Sequence, residues 1–118
     1  MNQTAAPNKS TITKAFQQLQ DRICTALELA DGVGKFKEDQ WQREGGGGGR
    51  SRVIEGAIIE KGGVNFSAVH GEMQDTTAQK LEMRGGHFYA TGVSIVLHPH
   101  SPMMPIIHMN VRYFEMQE

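Results

Sequence analysis

Five side chains near the C-terminal end of the sequence carry types that do chemistry: Ser94, His98, His108, Asn110 and Arg112. An imidazole exchanges protons near neutral pH. A guanidinium offers a planar fork that matches a carboxylate. A hydroxyl and an amide fix orientation by hydrogen bonding. Gathered on one surface, these groups suit an anionic ligand rich in hydrogen-bonding atoms. The alternative is an ordinary solvated sheet face.

Spacing decides whether they gather. Residues 92–98 and 106–114 read as two strands, because in each the apolar side chains recur at every second position. Val93, Ile95 and Leu97 share one face of the first, with Ser94, Val96 and His98 on the other. In the second, Ile107, Met109, Val111 and Tyr113 oppose His108, Asn110, Arg112 and Phe114. Pro99, Pro102 and Pro105 exclude a helix between them. Antiparallel pairing around that connector sets His98 opposite Ile106, Val96 opposite His108 and Ser94 opposite Asn110.

Other elements must support this pair. Apolar residues Ile12, Phe16, Leu19, Ile23, Leu27 and Ala30 recur at helical intervals. Ser10 or Thr11 is expected to cap that helix and Asp31-Gly32 to end it, behind a disordered leader over residues 1–9. Cys24 lies beside the apolar stripe and reads as a buried, inert thiol. The five glycines at 45–49 are followed by Arg50-Ser51 and a strand-like run, which does not fit a phosphate loop. They read as a turning or flexible loop. Residues 52–54 and 57–61 alternate as strands turning at Glu55-Gly56, and Gly62-Gly63 breaks the chain before a third strand at 64–70. A short helix over 75–83 follows. The order predicts an α+β fold with a largely antiparallel sheet flanked by helices, and nothing late in the sequence covers the second sheet face.

Composition narrows the function classes. A chain of 118 residues with net charge −1 supports one core and carries no basic footprint for nucleic acid or a membrane surface. One cysteine excludes an intrachain disulfide framework. No apolar run reaches the roughly 20 residues that span a bilayer, and a cytoplasmic location is expected. The five histidines lack the tight spacing of a metal motif, and hydrogen-bonded imidazoles are the simpler reading.

Four segments carry a resemblance: LQDRICTALELADG at 19–32, EGGGGGRSRV at 44–53, EKGGVNFSAVHGEM at 60–73 and FYATGVSIVLHPHSPMMPIIHMNVRYFE at 88–115. They resemble oxygen-dependent coproporphyrinogen III oxidases of haem biosynthesis, and the chain from about Phe16 to its end is similar to the N-terminal portion of that single-domain family. The resemblance implies a flat antiparallel sheet flanked by helices and a homodimer. It also implies oxidative decarboxylation of two propionates of coproporphyrinogen III to vinyl groups, with molecular oxygen as oxidant. The products are protoporphyrinogen IX, carbon dioxide and hydrogen peroxide. Carried over by position, His108 is the proton donor, and Ser94, Asn110, Val111 and Arg112 contact substrate. His98 and His108 match histidines assigned at times to a divalent metal, although the family is regarded as needing no cofactor beyond oxygen. Two alternatives accompany this reading: a truncated, non-catalytic tetrapyrrole-binding fragment, and a histidine-metal enzyme.

Overall fold

The computed structural model describes residues 8–72 and 86–117. One helix, α1 (Lys9–Asp31), lies across one face of a five-stranded sheet of β1 (Lys37–Gln42), β2 (Gly47–Ile54), β3 (Ile59–Glu72), β4 (His87–Pro99) and β5 (Ile107–Gln117). Every neighbouring pair is antiparallel, and the strands lie side by side in chain order. This is the expected α+β architecture.

The cap of helix α1 lies two or three residues before the Ser10 or Thr11 expected. Asn8 is the cap, its Oδ1 accepting from the Thr11 amide at 2.9 Å, so Asn8 and Lys9 belong to the helix start and not to a leader. The rest of that leader, like the helix expected at 75–83, lies outside the described residues. Gly32 ends α1 in the left-handed region at φ 83°, as Asp31-Gly32 leads one to expect.

The core forms where α1 meets the central strands. Cys24, Ile54, Ile59, Val64, Phe66, Val93, Ile95 and Leu97 are buried together, with Phe16, Leu19, Ile23, Leu27 and Val111 packed around them. Gln20 is fully buried within this apolar layer, and its Nε2 donates to the carbonyls of Arg50 and Val64 at 2.8 and 3.0 Å. Those bonds repay the desolvation of the amide nitrogen and tie α1 to β2 and β3. Burial pushes the Cys24 thiol above its ordinary pKa despite the opposing pull of Arg52, which fits an inert packing residue.

Three sequence expectations change. Strand β1 was not foreseen. The glycine run is a tight turn that becomes the start of β2: Gly45, Gly46 and Gly47 all have positive φ, while Gly48 and Gly49 pair with Gln42 and Trp41. A Cβ at Gly47 would lie 2.2 Å from the Ala68 carbonyl oxygen, so this part of the ladder closes only around a residue without a side chain. Finally, Gly62-Gly63 does not break the chain. Both pair within β3, opposite Leu97 and Val96, and the two strands expected at 57–61 and 64–70 are one strand of 14 residues.

The end of α1 is fastened by one carboxylate. Asp31 Oδ2 accepts from the amides of Val33, Gly34 and Ala57, and Oδ1 from those of Ile58 and Ile59, four of these five at 2.8 Å. One side chain thereby holds both the segment leaving α1 and the turn between β2 and β3.

Candidate active site

Antiparallel register fixes what shares the face opposite α1. Ser94 pairs with Asn110, Val96 with His108 and Gly92 with Arg112. The first two pairs are those read from the sequence. The third expected pair, His98 with Ile106, falls beyond the ladder, whose last pair is Leu97 with Ile107. His98 is therefore a diagonal neighbour of His108 on the same face, a relation that places Cα atoms about 7–8 Å apart in such sheets. Ser94, His98, His108, Asn110 and Arg112 are thus brought together. Val111 is not: it pairs with Val93 and packs on the core beneath α1, so only its backbone is available to anything bound on the open face.

The face extends across the whole sheet. Asn65 pairs with both Ser51 and Ser94, and Ser51 with Asp39, giving a polar row of Asp39, Ser51, Asn65, Ser94 and Asn110 over five strands. One step along the strands the row is Trp41, Gly49, Ser67, Gly92 and Arg112. The Trp41 ring lies over Gly49, where an added Cβ would meet its Cζ2 at 2.6 Å. Small side chains pave the middle of the sheet, and larger reactive ones stand toward its margins. One end is closed by Phe88 stacked on Phe114, centroids 6.1 Å apart, with the Arg43 guanidinium 5.6 Å from the Phe88 ring.

Charge separates the two faces. Beneath α1, Arg52 pairs with Asp21 at 2.9 Å and Glu38 at 2.8 Å, and Arg50 reaches Asp21 at 3.5 Å. The Arg52 hydrogen bond holds the Glu38 carboxyl below its ordinary pKa. On the open face, Arg112 and Lys61 are exposed and form no ion pair with another described residue. Such unneutralised cations are available to an anionic ligand.

Asn65 and Lys61 were not singled out in the sequence. The signal that could have found Asn65 was its parity with Ser67 on a strand that must pair with residues 92–98. Among the described residues no group of three His, Cys, Asp or Glu side chains is placed to hold a metal ion. His98 and His108 are two imidazoles where such a centre needs three or four protein ligands, so the described residues do not make one by themselves.

A family model described as coproporphyrinogen III oxidase matches residues 11–118. The chain belongs to the coproporphyrinogen III oxidase family. Two relatives named oxygen-dependent coproporphyrinogen-III oxidase, from Prochlorococcus marinus strains NATL2A and NATL1A, are 50% and 49% identical over 117 residues. The match covers 97% of this chain and 34% of each relative, so the chain spans about a third of the length of these family members. The described site is correspondingly one wall: a sheet face with no covering element among the described residues.

Proposed function

We propose that this chain supplies the substrate-binding wall of an oxygen-dependent coproporphyrinogen III oxidase. The observation that carries the reading is the convergence of Ser94, His108, Asn110 and Arg112 on one uncovered, cation-bearing face in a member of that family. The substrate is coproporphyrinogen III, a flat macrocycle bearing carboxylates. The paved centre of the face accepts the ring, and Arg112 takes a propionate through its fork. Ser94 and Asn110, directly opposite one another, orient the substrate by hydrogen bonds.

In each of two rounds a propionate loses its carboxyl group as carbon dioxide and one hydrogen from the carbon next to the ring. The two remaining carbons become a vinyl group. Molecular oxygen takes up the two electrons and two protons and leaves as hydrogen peroxide. The two electrons come from the propionate's own C–H and C–carboxylate bonds, relayed through the electron-rich pyrrole, so the reaction calls for no protein redox group. One proton of the peroxide is the hydrogen lost from carbon, and His108 donates the other.

The assembled enzyme is a homodimer in the cytoplasm. Supporting assembly, Ile107 and Met109 on the α1 side of the sheet are 52% and 46% exposed. No helix among the described residues is long and apolar enough to cross a membrane.

The test is a chimera in which residues 11–118 replace the matching segment of the NATL2A relative. It is expected to convert coproporphyrinogen III with uptake of oxygen and loss of two carboxyl groups by mass spectrometry. Arg112→Ala in that chimera raises KM about tenfold or more, and Arg112→Lys recovers part of the loss because an ammonium restores the charge without the fork. Binding without oxygen consumption by the unsubstituted chimera identifies a non-catalytic tetrapyrrole module instead, and an unchanged KM in Arg112→Ala removes the propionate assignment.

A further inference from the structure

The far end of the open face has a feature that the roles above leave unused. Lys61 and His98 are cross-strand partners on β3 and β4, one step beyond the Gly63 and Val96 pair. With Val53, Gly62, Gly63, Val96 and Glu60 they line a depression of about 390 Å³. Its floor is apolar or glycine, and Lys61 and His98 stand at its rim. Glu60, the acid nearby, has His100 Nδ1 at 3.8 Å.

Three observations point to a ligand. First, Lys61 has no ion-pair partner among the described residues, whereas Arg50 and Arg52 on the covered face both do. Second, the described open face carries Lys37, Lys61, Arg112 and two imidazoles against the acids Asp39 and, beside the depression, Glu60, within a chain of net charge −1. Its positive character is local and not a consequence of overall composition. Third, the cations form two poles. His98 is six residues along β4 from Gly92, the partner of Arg112, a backbone separation of about 20 Å at the usual rise per residue. The apolar and small-residue floor lies between them.

A small free anion would engage one pole and ignore the floor. A flat body with acid groups at opposite ends engages all three parts, and the flexible stems of lysine and arginine adjust the distance between their charged heads. We propose that Lys61, with His98 beside it, is a second carboxylate-binding pole, so that the face grips a flat polycarboxylate ligand at both ends. This rests on the tetrapyrrole reading of the same face and adds to it the subsite that holds a propionate remote from Arg112.

Trp41 is the one tryptophan and lies on this face, so its fluorescence reports occupancy. The 118-residue chain is titrated at low ionic strength with coproporphyrin III, the redox-inert tetracarboxylate, and with its uncharged tetramethyl ester. Lys61→Ala is expected to weaken binding of the tetracarboxylate about three- to tenfold, with the loss shrinking as salt is added. Lys61→Arg stays within about twofold of the parent, and the ester binds parent and Lys61→Ala alike. The Lys61→Ala, Arg112→Ala double variant loses the product of the two single losses, because separated poles act on different carboxylates. Equal tetracarboxylate binding by the parent and Lys61→Ala, with Arg112→Ala still impaired, overturns the second pole and leaves the tetrapyrrole reading standing. Failure of the parent to bind, or indifference to both substitutions, overturns both.

Discussion

His108→Ala, placed in the chimera with the Prochlorococcus relative, is expected to lower kcat by about 10² to 10⁴ while KM moves less than about threefold. Proton transfer by a positioned imidazole accelerates only the steps in which the proton moves, so its removal acts on turnover. The side chain is exposed and pairs across the ladder with Val96, itself exposed. Truncation therefore opens no cavity, and the thermal midpoint stays within about 2 °C of the parent. Arg112→Ala shows the opposite split, with KM as the larger change. Steady-state oxygen uptake and product formation on the two variants separate the roles. A His108→Ala enzyme retaining more than half the parental kcat would refute the proton-donor role while leaving the ligand face intact.

The different legibility of these residues has physical causes. Ser94, His108, Asn110 and Arg112 could be placed on one face because β4 and β5 are half-buried, joined through prolines, and show strict alternation. Their register follows from turning one strand back on the other. Strand β1 has the sequence KEDQWQ, and all six residues are exposed. With no apolar face it leaves no periodic signal, and its pairing to β2 exists only in three dimensions. The glycines misled in the other direction. A glycine in a strand usually weakens it, yet at 47–49 and 62–63 neighbouring groups come so close that a Cβ would not fit at most of these positions. What reads locally as a break is a requirement of the sheet. Lys61 shows a third limit, since its importance lies in having no partner, and that is known only when the pairings of Arg50 and Arg52 on the other face are known.

The same limit hides Asp31, whose five amide donors come from two separate segments. Asp31→Ala is expected to lower the thermal midpoint at pH 7 by more than about 8 °C, because it leaves several enclosed amides without acceptors at once. Asp31→Asn keeps the shape but presents an NH₂ group to amide donors and recovers little. Gly56→Ala reports on the same knot from its other side. A Cβ there would lie 2.1 Å from Asp31 Oδ2, so the carboxylate or the turn must move.

The backbone amides of Ile59 and Gly34 are the main influences holding the Asp31 carboxyl well below its ordinary value of 3.8, against the opposing effect of burial. The sign follows by linkage. A depressed folded-state pKa contributes stability that is complete above the unfolded value and disappears as pH falls through the folded one. The gap in midpoint between parent and Asp31→Asn is therefore constant from pH 7 to about pH 5 and narrows as pH drops below 3.8. Thermal unfolding of both proteins across pH 7 to pH 2 checks this, and a gap that stays constant to pH 2 would show that Asp31 is not the acid-sensitive fastening of α1 to the β2–β3 turn. That turn leads directly into Lys61 and Gly63. Loosening it is expected to weaken tetracarboxylate binding at the Lys61 end of the face more than at Arg112, because β4 and β5 position Arg112 independently of Asp31.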